Sequence, residues 1–509
     1  MTFLNRRDLL KSGAALSAGS LATPFARSAD QLDAAAGPYQ PYWNSLRKIA
    51  TPQWLRDGKF GIYTHWGIYS VPAYGKNGTW YAHDIYTNPT SDNYKHHVAT
   101  YGPLDKFGYK DFIPMFTGSR FDPDEWAELF HNAGARFAGP VAEHHDGFAM
   151  WNTKYSSWNA AKMGPKRDVV GELEKAYRAK GMKFMTAFHH AAHWFYFPTW
   201  DSRYDVGNPK YSGLYGEIHP KGALPDEKFL DEWKGKLIEV VDHYDPDLVW
   251  FDFGLQLIQQ WYKKQFVDYY FNRAAAHTKQ VTVTYKWHDF TPGVGVYDLE
   301  LGQETDMTYA EWVTDTTIDA GSGWGYVKGL GFKSVNELVT GLVDRVSKNG
   351  FLLLNVGPKP DGTIPEEAKE RLRGIGEWLR INGEAIYGTS PWLRAGEGPT
   401  HLAKNGPFNE NNALTYTPAD IRFTCRDDVL YATLLAWPGD RASITSFVPH
   451  GDTWPGLYPS EIASIEMLGS EEPIRWKFTP DALVLTTPKT QPCRDAFVYR
   501  IRLKQPFSS

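Results

Sequence analysis

The chain has 509 residues, 42% of them hydrophobic and 22% charged, and a net charge of −5. That length exceeds one ordinary domain and calls for a large domain plus at least one more. Acidic and basic residues are mixed without a long basic run, which argues against a nucleic-acid partner. Past the N-terminus no run of about 18 apolar residues occurs, so no membrane span is expected in the mature chain.

In chain order, "NRRDLLKSGAALSAGSLATPFARSAD" comes first, with the twin arginines Arg6 and Arg7 ahead of a mildly apolar Ala/Gly/Ser-rich stretch. It resembles a twin-arginine export signal over residues 1–29, which predicts a periplasmic or secreted protein. From 38 to 390, strand-like and helix-like runs alternate. Strands are predicted at 60–65, 136–144, 183–189, 248–252, 281–286, 296–301, weakly near 316–318, and at 351–356. Several are unbroken apolar runs, as in parallel strands buried on both faces. Helical patterns cover 123–133, 168–181, 226–244, 258–277, 334–348 and 365–382, while 286–333 is poor in them. The repeat predicts an irregular (β/α)8 TIM-like barrel. From 391 to 509 the texture changes to short alternating strands, which predicts a C-terminal antiparallel β-sandwich of seven or eight strands. The two cysteines, Cys425 and Cys493, are too few to establish a disulfide.

Active sites of parallel barrels gather at the C-terminal strand ends, and the polar residues here fall there. "IYTHWG" ends in His65 and Trp66; "PVAEHHDG" carries Glu143, His144, His145 and Asp146; "AFHHAAHW" carries His189, His190, His193 and Trp194. "LVWFDFG" ends in Asp252, "VTYKWHD" in Lys286, Trp287 and His288, and "YDLELGQETD" contains Glu300 and Glu304. Asp252 lies between two phenylalanines, where a carboxylate needs compensation. Three chemistries remain open on the residues alone. Metal-assisted hydrolysis would use the histidines, but the adjacent His-His pairs face opposite sides of a strand. Sugar binding without catalysis would use histidine and tryptophan as a platform. Glycoside hydrolysis would use Asp252 with a later glutamate.

The segments "WLRDGKFGIYTHWGIYSVPAYG", "NGTWYAHDIY", "GARFAGPVAEHHDGFAMWNT", "YDPDLVWFDFG", "WGYV" and "NGFLLLNVGPKPDGTIPEEAKERLRGIGEWLRINGEAIYGT" together resemble glycoside hydrolase family 29, the α-L-fucosidases. The resemblance spans about Trp54 to Thr389. It implies a retaining, two-step, exo-acting hydrolysis of terminal α-L-fucose from fucosylated glycans, without metal or other cofactor. Asp252 falls at the family's nucleophile position, and His65, Trp80, His144, His145 and Trp324 at its fucose-binding positions. His189 and His190 stand where many members carry paired tyrosines, and Lys286 at a further strand end is placed with the substrate-binding set. Glu300, in a stretch similar to one branch's "ERG", is the first choice for acid/base, with Glu304 second. Two positions depart from the family pattern: Thr79 precedes Trp80 where Glu is common, and Leu301 replaces the arginine of "ERG".

Overall fold

A computed structural model describes residues 37–321, 323–410, 414–448 and 456–505. The expected export signal lies outside these residues. Eight parallel strands close into a barrel in sequence order: β1 Phe60–Thr64, β2 Phe137–Glu143, β3 Lys183–Phe188, β4 Leu248–Phe251, β5 Thr282–Tyr285, β6 Val296–Asp298, β7 Trp312–Thr317 and β8 Gly350–Val356. β8 pairs back to β1 with Phe60 opposite Leu352, so no edge is left open. Two strands differ from expectation. β6 spans three residues rather than six, and β7 begins at Trp312, well before the expected 316. β7 reads "WVTDTT", and its polar residues hid a strand whose Asp315 and Thr316 are buried.

Helices cross back after most strands: Val169–Ala179, Glu227–Tyr244, Gln260–Ala276, Val335–Ser347 and Glu366–Asn382 follow β2, β3, β4, β7 and β8. Their starts carry local signals. Asp168 and Asp226 cap their helices by accepting backbone N–H bonds, and Ser334 with Glu337 forms a reciprocal capping box. No helix separates β5 from β6 or β6 from β7, so that part of the wall is built from turns.

The strand pleat sorts the side chains into two cores. Tyr63, Phe137, Met185, Trp250, Val313 and Phe351 fill the barrel interior. Their neighbours Ile62, Ala138, Phe184, Phe251 and Leu352 pack outward against the helices. C-terminal to the barrel, β9 to β16 form a five-stranded sheet of order β13-β16-β11-β10-β9 and a three-stranded sheet of order β12-β15-β14. Here β9 is Ser390–Glu397, β10 Ile421–Arg426, β11 Val429–Leu434, β12 Arg441–Ile444, β13 Ile462–Met467, β14 Trp476–Phe478, β15 Leu483–Thr486 and β16 Phe497–Leu503. The two sheets share one core that includes Phe423, Leu430, Ile444, Leu485 and Tyr499, which makes them a sandwich. Cys425 and Cys493 are both free thiols, each pushed up to about 11 by burial. Among the described residues no helix is long and apolar enough to cross a membrane.

Candidate active site

The pleat of β4 accounts for the placement of Asp252. Trp250 points into the barrel and Phe251 outward, where it packs near Trp233, Phe266 and Phe290. Asp252, the next inward position, sits at the mouth, its N–H donating to the Phe188 carbonyl at 3.1 Å. Phe253 lies 6.1 Å from the Trp80 ring and nearly parallel to it, forming the pocket rim. The chain then turns at Gly254, whose φ of +108° and whose 2.7 Å approach to the Ala192 amide exclude a Cβ.

Three nitrogens converge on the Asp252 carboxylate, and the His145 ring is fixed there by donating its Nδ1–H to the His189 carbonyl at 2.9 Å. His189 Nδ1 lies 2.9 Å and His145 Nε2 3.2 Å from Oδ2; Lys286 Nζ lies 3.0 Å from Oδ1. Burial would raise this carboxyl, but the Lys286 ammonium and the histidines facing it outweigh burial and hold Asp252 well below the usual range. Burial lowers His189 to about 4, so near neutral pH it is an uncharged N–H donor rather than a cation.

Lys286 also contacts Glu300, at 2.6 Å from Oε2. One ammonium therefore bridges the two acids, and their contacting oxygens cannot be farther apart than these two distances laid end to end. That is short of the roughly 6.5–9.5 Å of inverting glycosidases and compatible with the roughly 5–5.5 Å of retaining ones. Glu300 moves the other way from Asp252: burial raises it, Lys286 opposes, the Asp252 charge adds, and the net shift is upward. Glu304 takes no part. Its segment runs down the outside of the barrel, where its carbonyl accepts from Lys348 Nζ near the start of β8.

Beneath Lys286 lies a second carboxyl pair that the sequence reading missed. Asp298 Oδ2 and Asp315 Oδ2 are 3.9 and 3.8 Å from Nζ. Trp250 donates to Asp298, Tyr63 to Asp315, and the Asp315 N–H to Asp298. Asp315 Oδ1 is buried with no donor facing it. Burial pushes Asp298 up to about 7 and, together with the Asp298 charge, pushes Asp315 well above the usual range. The four carboxyls in turn hold the buried Lys286 ammonium firmly protonated, against its own desolvation.

The remaining wall is aromatic. His65 is fixed by Asn355, whose side-chain oxygen accepts from the His65 ring Nδ1 at 2.8 Å and from its backbone N–H at 3.1 Å. Asn355 is a buried polar residue near the end of the apolar β8, a strand-end signal of the same kind as the others. The His144 ring stacks on His189 at 4.4 Å and approaches His65 at 5.5 Å. Trp324 lies 5.3 Å from His65, and Trp80 lies edge-on to His145 at 5.6 Å. Thr79 turns its hydroxyl to Asn77 instead of the pocket. Three non-glycine residues at the mouth have left-handed backbones, Trp287 (+48°), Leu301 (+46°) and Trp324 (+54°), a concentration of strain common at functional sites.

His190, expected among the sugar contacts, turns away. Its Nδ1 lies 2.5 Å from Glu143 Oε1, and its ring stacks on Phe229 of the helix behind β3. Glu143 in turn holds the buried Lys236 at 2.9 Å. Both strands end one residue before their histidine pair, β2 at Glu143 and β3 at Phe188; His190 then opens a 3-10 turn, His190–Ala192, that carries its ring to Glu143, whereas His144 opens a turn closed by the Gly147 N–H on its carbonyl. Trp66, Asp146 and His193 serve packing and support, bonding Lys359, Tyr109 and the His145 carbonyl, and Trp287 and His288 are exposed.

A family model described as "Alpha-L-fucosidase" matches residues 26–384. The chain belongs to the alpha-L-fucosidase family. It is a glycoside hydrolase of that class. The "Tissue alpha-L-fucosidase" of Rattus norvegicus is 31% identical over 467 residues, covering 89% of each chain. The "Plasma alpha-L-fucosidase" of Homo sapiens is 31% identical, covering 86% of each. The crystal structure of Thermotoga maritima alpha-fucosidase in complex with fucose superposes with a TM-score of 0.72 at 32% identity, over 91% of this fucosidase and 100% of that chain.

Proposed function

We propose that the enzyme removes terminal α-L-fucose from fucosylated glycans with retention of configuration, using Asp252 as nucleophile and Glu300 as acid/base. The observation that carries this is the single Lys286 ammonium between the two carboxylates, which bounds their separation and holds Asp252 ionised, while burial and the Asp252 charge raise Glu300 against it. A related Thermotoga maritima alpha-fucosidase structure holds a mechanism-based inhibitor, in keeping with a covalent route. Ionised Asp252 attacks the anomeric carbon while protonated Glu300 gives its proton to the departing oxygen. The fucosyl ester that forms removes the Asp252 charge. Glu300 then loses the repulsion that raised it, while Lys286 continues to favour its ionised form. It becomes the base that deprotonates the incoming water. His65, His144, His145 and His189, all buried at the closed end, face the sugar hydroxyls, and Trp80 and Trp324 wall the ring.

Asp252→Ala should lose at least about 10³-fold in kcat on an aryl α-L-fucoside while still binding L-fucose; substantial residual turnover refutes the nucleophile. We further propose export through the twin-arginine segment, which rests on Arg6 and Arg7. Replacing both by lysine should leave the enzyme in the cytoplasmic fraction, and unchanged export would refute it.

A further inference from the structure

His65, His144 and His189 come from three neighbouring strands, β1, β2 and β3, and one ring nitrogen from each lies within 4.8 Å of the others. Two of the rings have one nitrogen committed. His65 Nδ1 must donate to Asn355 Oδ1, because that oxygen is a carbonyl and accepts. His189 Nδ1 likewise faces the Asp252 carboxylate. Both Nε2 atoms are thereby left as bare lone pairs, and His189 Nε2 is buried with no protein partner. An imidazole whose far N–H is held by a carbonyl or carboxylate is the arrangement that orients metal-binding histidines. No single His-His pair makes up the set; the barrel supplies one ring from each of three adjacent strand ends.

We propose that His65, His144 and His189 form a site for a divalent transition-metal ion of the Zn2+ class, occupying the sugar pocket as a reversible inhibitor rather than a cofactor. A tetrahedral ion with Zn–N of about 2.0–2.1 Å needs nitrogens about 3.3 Å apart, so the rings must close slightly around it. Mg2+ and Ca2+ need about six oxygen ligands, whereas three imidazole nitrogens converge here and the neighbouring Asp252 oxygens are held by His189, His145 and Lys286, so these ions should not compete.

The test is calorimetric titration of the purified full chain with ZnCl2 in a non-chelating buffer, repeated on His189→Gln, with Co2+ absorption reporting nitrogen coordination. Wild type should bind one equivalent, and His189→Gln should weaken binding by about 10-fold or more. Mg2+ should give no heat. His65→Gln is the second variant, should His189→Gln fail to fold. In kinetics, Zn2+ should raise KM for an aryl fucoside with kcat unchanged. No binding by wild type, affinity unchanged in both variants, or full metal occupancy with KM unaltered would each overturn the proposal. Turnover by the metal-free enzyme is measured separately, so failure of the fucosidase mechanism would leave the binding result standing.

Discussion

Replacing Lys286 by Met removes the one cation between the two acids and leaves a side chain of similar length. At 3.0 Å from Asp252, and with an effective dielectric constant of about 20, the attraction lost is about 5–6 kcal/mol, or about four pK units. His189 still donates to Asp252, and neutralisation of the carboxyls relieves part of the repulsion. The shift expected is therefore the 1–3 units usual for a carboxylate that loses an adjacent cation. The sign follows from the depressed carboxyl: protonation of Asp252 moves to higher pH, so the acidic limb of kcat/KM must move up. Near neutral pH kcat should also fall, by about 10²–10³-fold, for want of a fixed charge beside the reacting centre. Lys286→Arg, which keeps the charge, should leave the limb nearly in place. The assay is a pH–rate profile on an aryl α-L-fucoside. An acidic limb unshifted in Lys286→Met would refute the claim that Lys286 keeps Asp252 ionised.

Glu300→Ala should cut kcat most on natural glycans, spare substrates with activated leaving groups, and recover with azide. Glu304→Ala should behave as wild type, and the reverse pattern would exchange the two assignments. Lys236→Met leaves Glu143 buried with only His190 as partner, so it should cost about 3–5 kcal/mol of stability; a thermal melt near wild type would contradict that. The raised Asp298 carboxyl, near 7, binds a proton in the folded state that the unfolded chain has already lost. Native stability must therefore decline as pH rises from about 4 towards 7. Asp298→Asn should gain melting temperature at pH 8 relative to pH 5 when compared with wild type, and equal pH dependence would refute the shift.

The sequence by itself determined the barrel, its helices and the location of the site. Apolar runs, caps and terminal polar residues are local signals, and the pleat fixes which residue of "LVWFDFG" faces inward. Where structure depends on neighbours far along the chain, the local signals ran out. β7 carries Asp315 because its inner face meets Lys286 and Tyr63, and Thr314 and Thr316 because its other face bonds the Gly302 carbonyl and Glu410, so its composition disguised it. His190 differs from His145 in the turn that follows the strand, a 3-10 turn in one case and a turn closed on the His144 carbonyl in the other. Glu300 and Glu304, four residues apart, were equivalent in one dimension. The tertiary structure separated them, bringing Glu300 to the ammonium that holds Asp252 and sending Glu304 down the outer wall to Lys348. Charge, burial and distance between strands decide such questions, and none of them is a property of a short stretch of chain.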